Sequence, residues 1–450
     1  MPKRMVFIAG LASVLVGVLL PGTLSWAAGR PSGGARADAY IVEGDNSVQR
    51  LDGLTGAVIW RFPIPGSIAG AQQTFVAGRL FFLLTQHDVI ALDRRLGRER
   101  WRIRVPSPDL IEDAAAGPVG IYVRESMDQG LRQEIQAIDS RGVTRWTSPV
   151  PVSGDHFVVL DGAVYVSDHV RRQAGTGLLA LDAVTGNERW RASVTPAPVP
   201  ATLTLAGGIL YARSDRDVRY PDHLVALDER TGAVRWEQPS ADARLQWGDV
   251  RVDGDLVSVN ATPMDGPPVP PEQIAIGAFA ARTGTPVWRA PAHQFVPGIP
   301  TVDGRLISRH LLAQAEMIEG LDRRTGLARW AASTCAAVSC LVGWAGSDGA
   351  RISLLQYVAA GTIDLVGLDA RSGKVVLQQR LDRTAPPPFG FWARQGGDTV
   401  YLQMFGLPAA GGGQTPEFLQ AVELRTGREL WAHQYLPTTG STVVPPPVIA

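Results

Sequence analysis

The sequence predicts an all-β fold, a single β-propeller of eight or nine four-stranded blades. Three observations predict it. A hairpin pattern recurs along the chain, the copies are about 46 residues apart, which is a blade-sized period, and each copy reads as four short strands separated by turn signals. The clearest copy is Ala180-Leu181-Asp182-Ala183-Val184-Thr185-Gly186-Asn187-Glu188-Arg189-Trp190. An apolar strand runs into a polar turn and leaves through a strand that carries a tryptophan. Gly186 suits a loop position with positive φ, and Asp182 can accept hydrogen bonds from the backbone N–H groups of the turn. Trp190 is a large apolar body that has to be buried.

The same Asp-to-Trp step runs from Asp52 to Trp60, Asp93 to Trp101, Asp228 to Trp236 and Asp322 to Trp330. Copy three is a residue shorter, with Asp139, Gly142 and Trp146. Copy six keeps Thr283, Gly284 and Trp288 but has Ala280 for the aspartate, so a looser hairpin is expected there. Copy eight keeps Asp369 and Gly373 with Leu377 for the tryptophan, and copy nine has Glu423, Thr426, Gly427 and Trp431. Of the 12 tryptophans, those at the repeated position read as wedges between blades rather than a cofactor platform. The repeated aspartates read as turn caps, not general acids.

Before the hairpin, most copies carry two further strands around a turn such as Asp161-Gly162, Asp253-Gly254 or Asp303-Gly304. The first copy lacks its first strand. Val448-Ile449, with Thr442-Val443-Val444, is left over at the C-terminus and is expected to join that blade and close the ring. Pro445 to Pro447 count against ladder pairing just before it.

Residues 1–27 read as an export signal, 28–37 as a linker and 38–450 as the propeller. Lys3 and Arg4 precede an apolar run from Met5 to Leu20, and Ser25-Trp26-Ala27 offers a cleavage site. An uncleaved membrane anchor is the alternative, although Pro21-Gly22 breaks the run. Lys+Arg and Asp+Glu both number 43, so no basic tract argues for nucleic acid. Cys335 and Cys340 are the only cysteines and read as a small structural disulfide in an exported protein.

The pattern A-L-D-x-x-T-G-x-x-x-W resembles the repeat of the pyrroloquinoline-quinone-type β-propellers over roughly residues 38 to 450. That family includes quinoprotein alcohol dehydrogenases and the propeller lipoprotein of the outer-membrane barrel-assembly machine, and eight blades is its norm. The dehydrogenases imply pyrroloquinoline quinone with calcium, an aspartate base and a ring of adjacent cysteines. None of these maps residue by residue onto this chain, and Cys335 and Cys340 are not adjacent. No cysteine lies near the cleavage site, which departs from the lipoprotein.

The expected function is therefore non-catalytic: a secreted or cell-envelope scaffold that binds a protein or envelope partner, with no cofactor. A quinone-dependent dehydrogenase and a small-molecule sensor are the alternatives. No catalytic or metal-ligating residue is assigned, since the seven histidines lack His-x-x-x-His spacing. Ring-face loops are expected at Asp215–His223, Pro263–Glu272 and Leu407–Glu417. Asn260-Ala261-Thr262 is read as an unmodified surface sequon, and Trp247, Trp344, Phe389, Phe391 and Trp392 as core aromatics outside the repeat.

Overall fold

The computed structural model describes residues 37–450 except 44–45, 65–72, 108, 152–156, 169–176, 195–197, 199–201, 214–221, 241–244, 264–268, 296–300, 312–315, 334–340, 359–361, 382–389, 406–416 and 436–447. The signal, Cys335, Cys340, Phe389 and most of the three expected loops lie outside the described residues. Nine four-stranded antiparallel sheets form the blades of a propeller. Helix among the described residues amounts to short 3₁₀ turns such as Asp128–Gly130 and Pro271–Gln273. The blade number is thus nine, one above the norm of eight.

Eight blades take their strands in chain order, for example Val158–Leu160, Ala163–Asp168, Gly177–Asp182 and Glu188–Ala192 in blade 4. Blade 1 is different. Its strands Ala39–Glu43, Ser47–Leu51 and Val58–Pro63 are completed by Val448–Ile449 from the far end of the chain. Ala39 pairs with Ile449 and Tyr40 with Val448, and Asp38 and Ala450 exchange both backbone hydrogen bonds, at 2.9 and 3.0 Å. The expected closure by the tail is made by Val448–Ile449, while Thr442-Val443-Val444 lie outside the described residues, and it covers an edge that blade 1 would otherwise expose.

The repeated hairpin keeps one geometry except in blade 3, where the loop is a residue shorter and Gly142 N–H donates to Asp139 O at 3.0 Å. In blade 4 the Asp182 N–H donates to Asn187 O at 2.7 Å, and Gly186 N–H returns to Asp182 O at 2.8 Å. One Asp182 carboxylate oxygen accepts from Val184 N, Thr185 N and the Thr185 hydroxyl at 2.8–3.0 Å, while the other takes Arg189 at 2.8 Å. A register shift sits at the same place in every such hairpin, between Ala180 and Leu181 here, as a bulge after a tight loop requires. Blade 6 keeps this backbone without the cap. Gly284 N–H still donates to Ala280 O at 2.8 Å, and Ala280 N–H to Thr285 O at 2.9 Å. The backbone bonds are kept, and the side-chain bonds of the aspartate cap, whose loss prompts the expectation of a looser hairpin, are what blade 6 lacks.

Each tryptophan then docks on the glycine of the next blade. Trp190 of blade 4 covers Gly232 of blade 5, where a Cβ would lie 2.4 Å from the indole and φ is +70°. Its ring N–H donates to the Glu229 carbonyl at 2.8 Å. Trp60, Trp101, Trp146, Trp236, Trp288, Trp330 and Trp431 donate likewise to Arg94, Ser140, Ala183, Ala281, Arg323, Ala370 and Gly53. The indole thus buries its body between blades and satisfies its one donor.

The step from blade 8 to blade 9 lacks this device. Leu377 replaces the tryptophan, and Gly427 faces the Gln379 side chain instead. Arg351 supplies a donor in its place, reaching Arg425 O at 2.8 Å. The Gln395 amide joins the first strands of the two blades through two 2.7 Å bonds to the Ser347 backbone.

Two outcomes follow. Trp190→Ala should lower unfolding free energy by about 3–5 kcal/mol, as a large buried aromatic truncation does. Gly232→Ala should destabilise clearly more than Gly207→Ala, because both glycines have positive φ (+70° and +58°) but only the first meets an indole; nothing lies within 4 Å of the second. Denaturant midpoints read this, and equal losses for the two alanines would contradict the docking.

The turn aspartates also set an acid limit. Arg189 and the turn donors hold Asp182 at about 2 against partial burial, and Arg235 does the same for Asp228. These pKa values lie below the unfolded value of about 3.9. Their stabilisation is therefore present above that pH and is lost as pH falls towards 2. Urea midpoints of the wild type should fall between about pH 4 and 2, and less steeply in an Asp182→Asn/Asp228→Asn double variant.

Candidate functional site

The repeat departs most from its pattern in blades 6 and 7. Blade 6 comprises Leu245–Asp253, Leu256–Pro263, Ala275–Ala280 and Pro286–Pro291. On its face towards blade 5, small residues replace the usual bulk. Gly277 stands three residues before the turn position, where blades 4 and 5 have Leu179 and Val225. Ala261 and Ala275 pack beside it, and the result is a cavity of about 370 Å³ walled by Trp247, Phe279 and Trp288. Trp247 and Phe279 meet edge to face at 6.1 Å. A cavity of this kind can take a small apolar group.

Trp247 therefore packs in the core as expected, only 7 % exposed, with its ring N–H donating to Gln238 O at 3.3 Å. Asn260 corrects its expectation. It lies within the strand Leu256–Pro263 and is buried, so it is not a surface-loop residue. Hydrophobic neighbours on both sides of Asn260 (Val259 and Ala261) are the sequence signal for that strand.

Blade 7 comprises His293–Phe295, Arg305–Leu311, Glu316–Asp322 and Ala328–Ser333. Here the fold unites residues that the sequence left apart. His293 pairs across the ladder with His310, and Glu319 pairs with Ser308 two positions along, so all three side chains share one face. The His293 and His310 rings stack with centroids 4.4 Å apart. Glu319 Oε2 lies 2.9 Å from His293 Nε2, and Oε1 lies 2.9 Å from His310 Nδ1. His293 Nδ1 donates to the Pro291 carbonyl at 2.6 Å. Burial pulls the His293 pKa down, but its bonds to Glu319 and Pro291 outweigh that and leave it raised. Glu319 is lowered, chiefly by His293 and against its burial, with His310 adding to the effect.

This is the one grouping of three His, Cys, Asp or Glu donors fit for a cation among the described residues. A separate carboxyl, Glu125, lies opposite Glu134 in blade 3. Burial first, then Glu134 and Asp109, push it up to about 7, so it can exchange a proton near neutrality.

Nine blades built on the hairpin and its glycine, eight of them with the tryptophan, define a quinoprotein-type repeat propeller. The chain matches the family described as outer membrane protein assembly factor BamB over residues 25–121, 131–266 and 221–387. It belongs to that family. It is similar to outer membrane protein assembly factor BamB of Nitrosomonas eutropha, 29% identical over 161 residues, or 35% of this chain and 37% of that relative. The chain thus covers little more than a third of that relative's length. Among solved structures, a eukaryotic initiation factor overlays with a TM-score of 0.60, covering 90% of this chain and 97% of its own, at 11% identity. BamB from Moraxella catarrhalis overlays at 0.43, covering 81% and 90%, at 17% identity. Such an overlay at 0.60 speaks for the propeller fold alone.

Proposed function

We propose that the protein is an exported, non-catalytic propeller that serves as a scaffold in outer-membrane protein assembly, binding a protein partner through loops on the ring faces. The family match over most of the chain carries this reading. The chemistry of the repeat supports it. Its repeated groups are consumed locally: aspartates in turn caps, glycines under indoles, and indole N–H groups on carbonyls of the next blade. None of these is left to hold a substrate.

The dehydrogenase alternative needs a quinone with calcium, and calcium takes six to eight oxygen ligands. The donors that the described residues bring together are two imidazoles and one carboxylate, a nitrogen-rich set that does not fit it. Export, in this reading, is directed by the N-terminal apolar segment, and the ring works outside the cytoplasm.

Chemical cross-linking in intact cells that make the protein, followed by affinity capture and mass spectrometry, tests the proposal. Components of the outer-membrane assembly machinery should be enriched over a cytoplasmic bait. Enrichment of none of them, or turnover of alcohols with pyrroloquinoline quinone and calcium, would contradict it.

A further inference from the structure

Glu319 is the one ionisable residue at a position that is hydrocarbon in four blades, glutamine in blades 1, 3 and 9 (Gln49, Gln136 and Gln420) and glycine in blade 6. Three residues before the turn position, blades 2, 4, 5 and 8 have Ile90, Leu179, Val225 and Val366, all nearly inaccessible. Blade 7 puts a carboxylate there, 6 % exposed, facing the contact with blade 6. A buried carboxylate is costly unless it is paired or ligates a metal. Two histidines from neighbouring strands converge on it, and no other copy of the repeat has this trio.

The backbone is shaped to bring His293 there. Only Ala292 separates the last strand of blade 6, Pro286–Pro291, from the first strand of blade 7, His293–Phe295. Ala292 has φ +59°, a left-handed conformation unusual for a residue with a Cβ, and its N–H is held by Ile274 O at 2.7 Å. The corner fixes the His293 ring with Nδ1–H on the Pro291 carbonyl and Nε2 turned to the carboxylate. Metal-binding histidines are oriented in this way, with one nitrogen on a backbone carbonyl and the other on the ion.

The geometry points to a zinc-class divalent metal site formed by His293 Nε2, His310 Nδ1 and a Glu319 oxygen, with a fourth position open to water. The three donor atoms lie within 4.8 Å of one another. Donors in a tetrahedral zinc shell bind at about 2.0–2.2 Å, which puts them about 3.3 Å apart. Binding would draw the donors together by side-chain rotation on the three strands. His310 is the most open of the three, with 27% of its side chain accessible, and gives the ion its way in. Two imidazoles and a carboxylate suit zinc, whereas calcium and magnesium prefer oxygen alone. The site is distinct from the scaffold role and does not depend on it.

The test is calorimetric titration of the untagged, chelator-treated protein with zinc, alongside calcium and magnesium. Zinc should bind at about one ion per chain with a micromolar or tighter Kd, and calcium and magnesium should not compete. Glu319→Gln and His310→Asn should each weaken the zinc affinity by about tenfold or more. Circular dichroism shows whether each variant is folded, and His310→Asn, at the accessible edge, serves if Glu319→Gln is not. X-ray absorption of the loaded protein should show a nitrogen- and oxygen-ligated ion with no sulfur. Absence of zinc binding, zinc binding undiminished in the folded variant, or a sulfur-ligated ion would overturn the site.

Discussion

The structure depends on one repeated contact, an indole laid on a glycine of the next blade. A propeller has no continuous ladder between blades, so side-chain contacts must carry most of the packing between neighbouring sheets. Tryptophan serves because it combines a large apolar surface with a single donor that a turn carbonyl can satisfy. The glycine beneath it is required twice over. Its positive φ shapes the hairpin loop, and its missing Cβ leaves room for the ring, as at Gly232 under Trp190. The aspartate that caps the turn presents both the glycine and the carbonyl at once, which is why the three residues recur as a unit.

A ring made of such contacts is limited by its weakest step. Between blades 8 and 9 the indole is absent, and Arg351, Gln395 and an apolar cluster around Leu355, Leu365 and Leu402 take over. The closing step from blade 9 to blade 1 retains Trp431 on Gly56 and adds the pairing of Val448–Ile449. Closure by the tail is therefore better supported than the step just before it. A tyrosine column reinforces other steps: Tyr122 and Trp146 both donate to Ala183 O, and Tyr211 and Trp236 both donate to Ala281 O.

The fold was legible in the sequence because its determinants are local. Asp182, Gly186 and Trp190 lie within one hairpin, and their spacing survives repetition. The tail's pairing could be inferred from a missing strand. The candidate sites were not legible, because they depend on register. Nothing in the spacing of His293, His310 and Glu319 shows that a one-residue corner at Ala292 sets the first histidine opposite the second. The signal that could have found them is the column itself, where aligning the copies shows Glu319 as the one charged residue beside aliphatic residues such as Ile90, Leu179 and Val225 and the glutamines Gln49, Gln136 and Gln420. Gly277 and the cavity beside Trp247 stand out by the same alignment. The tyrosines carry no such signal, because they fall in the variable second strand rather than in the hairpin.

Function in such a ring lies in departures from the repeat, and stability in adherence to it. Blades 6 and 7 depart by opening a cavity and gathering two histidines on a carboxylate. The step from blade 8 to blade 9 departs by losing its wedge. The most direct measurement of the central contact is native-state hydrogen exchange of the nine turn amides, such as Gly186 N–H on Asp182 O. The Gly427 amide of blade 9, which has no indole above it, should exchange before those of the eight indole-covered hairpins. Equal protection in all nine, or slowest exchange at Gly427, would contradict that role for the indole.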